Sequence, residues 1–87
     1  MKPTRFTGHA RAKFADLTAL GLTLSESQVV DVIDHPDRVD EGHHGRQIAQ
    51  GTLDESHVLR VVFEEADNEI VVVTFYPGRR RRYEGPL

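Results

Sequence analysis

The sequence predicts an α+β domain: two N-terminal helices packed on one face of a three- or four-stranded antiparallel sheet. Three observations predict it. Apolar residues recur at helical spacing through the first third of the chain. Beyond Pro36 the apolar period changes to two, the signature of strands. Eighty-seven residues hold one modest core, so helices and sheet must share it.

The stretch "TGHARAKFADLTALG" is the first helix. Ala10, Phe14 and Leu17 recur at i, i+4 and i+7, on one helical face, and Gly21 is a good stop. "TLSESQVVDVIDHP" is the second. Thr23 with Glu26 has capping-box spacing, and Ser25 with Gln28 offers the same box in another register. Val29, Val32 and Ile33 form its apolar stripe, and Pro36 ends it because the residue before a proline avoids helical dihedrals. "RQIAQG", around residues 45–50, is a short strand. "HVLRVVFEE" alternates Leu59, Val61 and Phe63 against Val58, Arg60 and Val62. "EIVVVTFY" spans 69–76, and Asp67-Asn68 makes the link between these two strands a hairpin turn. Pro77-Gly78 is a further turn signal, after which "RRRRYE" returns as a short edge strand or continues as an ordered tail. The expected core is Phe14, Leu17, Val29, Ile33, Leu59, Val61, Val71 and Val73. No repeat, linker or boundary divides the chain, so residues 1–87 form a single domain.

No run approaches the ~18 apolar residues of a membrane span, and "MKPTRFTGHA" lacks the apolar segment of a secretion signal. The chain has no cysteine, which excludes disulfides and thiolate metal sites. A cytoplasmic protein with no membrane partner is expected. The net charge of −3 conceals a segregation. Residues 1–13 carry Lys2, Arg5, Arg11 and Lys13 and no acid. Residues 14–69 set thirteen acids against Arg38, Arg46 and Arg60, and residues 70–87 set Arg79–Arg82 against Glu84. If the basic ends meet, they form one positive patch suited to phosphate.

His9 and Lys13 stand four apart and share a helical face at the rim of the apolar stripe. An imidazole there is able to exchange a proton near neutral pH. Arg60 interrupts an apolar strand and Arg46 begins one. On a sheet with one covered face, outward arginines converge on the other, and a guanidinium grips phosphate bidentately. In an extended "RRRR" two of four arginines share a face; Arg80 and Arg82 are such a pair. Tyr76 and Tyr83 bracket the run, and rings interleaved with arginines suit single-stranded nucleic acid. His43, His44 and His57 do not make a metal site in this reading, since adjacent histidines of an extended chain point apart.

"FTGHARAKF", then "GLTLSESQVVDVIDHPDRV", then "LRVVFEE" and "IVVVTFYPGRRRRY" resemble a small bacterial domain over residues 5–84. That domain is similar to the BrnT and RelE toxins, metal-independent ribonucleases that pair with antitoxins. The resemblance implies a RelE/barnase-like arrangement, with RNA on the open face of the sheet and no cofactor. It places the family's helix histidine on His9 and its second basic residue on Lys13. The strand arginine falls on Arg46 or Arg60. The C-terminal group falls on Arg80, Arg82 and Tyr83, with Tyr76 nearby.

Three functions compete. An endoribonuclease toxin would use His9 as acid or base and the arginines to hold the transition state on phosphate. A non-catalytic module of the same fold would bind nucleic acid or an acidic protein segment. A homodimer would join through the edge strand "RRRRYE", whose charges otherwise guard against pairing.

Overall fold

The computed structural model describes residues 2–84. It begins with a short strand that carries no periodic signal, β1 (Thr4–Phe6). Thr7 then caps α1 (Gly8–Ala19). Its Oγ1 accepts from the Ala10 N–H at 3.1 Å and donates to the Val73 carbonyl at 3.1 Å, so the cap also pins the helix start to the sheet. After Gly21, at φ 94°, comes α2 (Glu26–Asp34). Of the two capping-box registers, the structure uses Ser25 with Gln28: the Gln28 N–H donates to Ser25 Oγ and the Ser25 N–H to Gln28 Oε1. Then follow β2 (Arg38–Glu41), a 3-10 turn at His43–Gly45, β3 (Gln47–Thr52), β4 (His57–Ala66), β5 (Glu69–Arg79) and a helical turn, α3 (Arg80–Tyr83).

The α+β class and the two leading helices stand as expected; the sheet differs. It has five strands among the described residues, ordered β1-β5-β4-β3-β2, and it is mixed because β1 runs parallel to β5. β1 has three residues, too few for a period. β2, "RVDE", offers one apolar side chain, Val39, which is 49% exposed at the sheet edge. Neither strand shows the alternation that burial on one face imposes. The β4–β5 hairpin turns at Asp67-Asn68 as expected.

Pro77-Gly78 is not a turn but the continuation of β5, with Leu59 opposite Pro77 and Val58 opposite Gly78. A proline sits in a strand only where its missing N–H faces an edge. β1 accompanies β5 over Ile70–Val72 alone, which leaves that edge free at Pro77. Beyond Arg79 the arginines coil into α3, so they form no edge strand through which a second copy would pair.

Both helices cover the same face. Phe6, Ala10, Leu17, Leu24 and Val29 pack with Leu59, Val61, Val72 and Phe75, and Phe14 stacks obliquely on Phe75 at 4.7 Å between ring centres. Phe14 and Ile33 are half-buried against this cluster. Val71 is buried outside it and Val73 is half-buried. The β5 contribution is therefore shifted from the expected Val71 and Val73 to Val72 and Phe75. The cause is a bulge. Val62 faces Thr74 but Phe63 faces Val72, so Val73 is an extra residue and the alternation changes phase there. On β3, α2 comes so close that a Cβ at Gly51 would lie 2.9 Å from Val32 Cγ2.

The bulge makes a direct prediction. Val72→Ala lowers unfolding free energy by on the order of 1–3 kcal/mol, as large-to-small core changes do. Val73→Ala costs less. Chemical denaturation of the two variants compares them, and equal losses would place both side chains in the core.

Candidate functional site

Since Leu59 and Val61 face the helices, alternation turns Val58, Arg60 and Val62 to the opposite face. There the register lines up Arg38, Gln50, Arg60 and Tyr76 across four strands. Arg60 is only 6% exposed, an unusual place for a cation, and every nitrogen of its guanidinium is occupied. Nε donates to Tyr76 Oη at 3.2 Å, Nη1 to Gln50 Oε1 and Nη2 to Asp40 Oδ2 at 3.3 Å. The Tyr83 ring closes the top, with its centre 4.4 Å from the guanidinium carbon. Asp40 is shared. Arg38 donates to it through Nη2 at 2.9 Å and passes Nη1 to the Tyr83 carbonyl at 2.6 Å. These hydrogen bonds from Arg38, and after them Arg60, hold the Asp40 carboxyl below its ordinary pKa.

Tyr83 reaches Arg60 because α3 folds back across this face. The Arg80 N–H donates to the Ser56 carbonyl at 2.9 Å, which anchors the start of the turn. Arg80 Nε pairs with Glu84 Oε1 at 3.1 Å. The Tyr83 ring lies flat enough on Gly78 that a Cβ there would sit 2.3 Å from Tyr83 Cε2. Gly78 is thus the seat of the C-terminal tyrosine.

The chain holds eleven lysines and arginines. Lys2 pairs with Glu65, Arg5 with Glu69, Arg11 with Glu26, Arg46 with Glu64, Arg38 and Arg60 with Asp40, and Arg80 with Glu84. Among the described residues, Lys13, Arg79, Arg81 and Arg82 have no carboxylate within 4.0 Å. Beside this run lies an open cleft of about 380 Å³ lined by His57, Pro77, Gly78, Arg79, Arg82 and Tyr83. His57 pairs with Arg79 across the strands, and its Nδ1 lies 3.0 Å from Asp54 Oδ1. The Ser56 N–H donates to the same Asp54 oxygen at 2.8 Å. That bond first, and the His57 contact second, hold the Asp54 carboxyl below its ordinary pKa.

The residues expected to form one site are divided between two. His9 is exposed and Lys13 half-exposed on α1, which packs on the helix-covered face. The α1 cap is tied to Val73, whereas α3 starts after Arg79, six residues and roughly 20 Å farther along β5. The start of α1, which carries His9, is therefore set well apart along β5 from the start of the arginine run. Arg46 is tied to Glu64 at 2.8 Å, four residues along β4 from Arg60. Arg60 and Tyr76 are spent on each other and on the buried network, and Arg80 is spent on Glu84. Of the arginines singled out in the sequence, Arg82, beside Tyr83, has no carboxylate partner among the described residues. Arg79, Arg81, His57 and Asp54 were not singled out as one group. His57 meets Arg79 only through strand register, which no local motif displays.

Compared with family models, with curated proteins and with solved structures, the chain finds no match.

Gly78→Ala is expected to dislodge Tyr83 while the sheet persists. NMR shifts of the Arg60 and Tyr83 side chains check this, and unchanged shifts would dissociate Tyr83 from Gly78. Asp40 gives a pH prediction. Its folded pKa is depressed, so its contribution to stability is present above the unfolded value and lost as pH falls through the folded one. The stability gap between wild type and Asp40→Asn is therefore full above about pH 4 and narrows below it. Denaturation midpoints across pH 2.5–6 measure the gap, and a constant gap would contradict the pairing.

Proposed function

We propose that this protein binds single-stranded RNA through its C-terminal arginine run. One observation carries the reading: among the described residues, three of the four lysines and arginines without an acidic partner are Arg79, Arg81 and Arg82, contiguous with the anchored Arg80. In a chain with fourteen acids, pairing them within the fold was open to selection. Crowded cations repel one another, and an arriving polyanion relieves that repulsion. The acidic remainder disfavours the same polyanion elsewhere, which orients it on α3. A four-residue turn is too short to lie along a duplex groove. A cleft edged by a tyrosine ring and arginines suits a flexible strand with unstacked bases. RNA is the choice of strand on the resemblance to ribonuclease toxins. Strand cleavage finds less support than binding, because His9 lies far from the arginines that would hold the scissile phosphate.

Fluorescence anisotropy with a labelled RNA oligonucleotide at increasing salt tests the reading. Each phosphate contact on a single strand adds about −0.7 to the log–log slope, so replacing Arg79, Arg81 and Arg82 with Gln flattens it by about 2. His9→Ala leaves it unchanged. An unaltered slope in the triple variant would refute the arginine surface. Metal-free cleavage abolished by His9→Ala would instead establish a ribonuclease.

A further inference from the structure

We infer that the cleft beside α3 receives the terminal phosphate of the RNA strand, so that the protein recognises a phosphorylated end. The inference rests on the RNA-binding reading and specifies its substrate.

Three cationic or proton-donating groups converge on this cleft from three directions. Arg79 comes from the end of β5, Arg82 from α3 and His57 from the start of β4. The arginines are free of carboxylates among the described residues. The imidazole is held through one nitrogen, Nδ1 against Asp54, which leaves Nε2 for another partner. A carboxylate behind a histidine orients the ring, and an imidazole with a proton on each nitrogen donates one N–H to the carboxylate and the other to an anion. An internal phosphodiester carries one charge and two free oxygens. A terminal phosphomonoester carries close to two charges at neutral pH and three free oxygens. Two guanidiniums and an imidazole match the second better than the first.

The surroundings also favour an end over a passing strand. On the far side of His57, the loop between β3 and β4 presents Asp54 and Glu55, both exposed. A backbone continuing past His57 would bring its next phosphate against these acids. On the other side Arg81 and Arg82 continue the positive run and lead the strand away along α3. Glu84, at the end of the turn, is already paired with Arg80, and Asp40, reached from the Tyr83 carbonyl through Arg38, is taken up by Arg38 and Arg60. The polarity is thus positive on one side of the cleft and negative on the other, and a strand that stops at the cleft satisfies both. Tyr83 edges the cleft, where a terminal base can lie against its free rim.

The test compares RNA decamers of one sequence bearing a 5′-phosphate, a 3′-phosphate or hydroxyls at both ends, by anisotropy at fixed salt. One phosphorylated end should bind at least tenfold more tightly than the hydroxyl form. His57→Gln should reduce that preference to threefold or less, and a phosphate titration followed by NMR should shift His57 and the Arg79 and Arg82 side chains but not His9. Equal affinity for all three decamers overturns the end recognition and leaves RNA binding standing. No binding of any decamer overturns both. A nucleoside monophosphate that binds as tightly as the phosphorylated decamer assigns the cleft to a free nucleotide and overturns the strand-end reading. A preference undiminished in His57→Gln, with the variant's folded spectrum intact, removes the cleft from the recognition.

Discussion

A guanidinium sealed inside a protein must find a partner for each of its nitrogens or the fold is penalised by several kcal/mol. Arg60 meets that demand on the face of the sheet that the helices leave bare. Meeting it draws in one side chain from each of β2, β3 and β5, namely Asp40, Gln50 and Tyr76, and a ring from beyond the sheet, Tyr83. Much of the architecture of that face follows. β2 has almost no apolar content, and its Asp40 and Arg38 connect it to the network and to the Tyr83 carbonyl. Gly78 is bare because Tyr83 rests there. α3 folds back instead of trailing away, since its tyrosine completes the cover over Arg60.

The folding back of α3 has a consequence for charge. It carries Arg79–Arg82 to the edge of the sheet and holds them near His57. Among the described residues, every lysine and arginine elsewhere except Lys13 is answered by an acid, even at exposed sites where such pairs contribute little to stability. The run around α3 concentrates the cations that are not and gives the molecule a polar direction. The proposed binding there needs no change of fold, because Ser56 and Gly78 already position the turn. An anion at the cleft would also oppose fraying of the turn, linking ligand binding to the closure over Arg60 by mass action.

His9 illustrates how a family resemblance and a fold can diverge in what they support. His9 stands at the start of α1, and the arginines follow the end of β5. Both helices pack on one face through Phe14, Leu17 and Val29, while α3 crosses the other. Charge segregation along a chain reports which residues share a sign; it does not report which share a surface.

The amino-acid sequence by itself determined the elements whose causes are local. A capping box starts α2, in one of the two registers the sequence offers, Pro36 ends the helical region, and Asp67-Asn68 closes the hairpin, each through contacts within a few residues. The apolar stripe of α1 and the Leu59/Val61 face of β4 were equally legible, because burial on one side imprints its period on the chain. Tertiary structure decided the rest. Pro77-Gly78 carries the dipeptide of a turn, yet it lies in a strand, because β1 accompanies β5 only as far as Val72 and leaves an edge where a missing N–H costs nothing. Counted back from the hairpin turn, His57 would oppose Gly78; the extra residue at Val73 moves it opposite Arg79 and assembles the cleft. Arg60 read as an outward cation and is a buried one, since what covers it is a tyrosine twenty-three positions away. Periodicity records whether a side chain is covered, but not by what. The partner of a long-range contact is set by register, edge and closure, which exist only once the strands have paired.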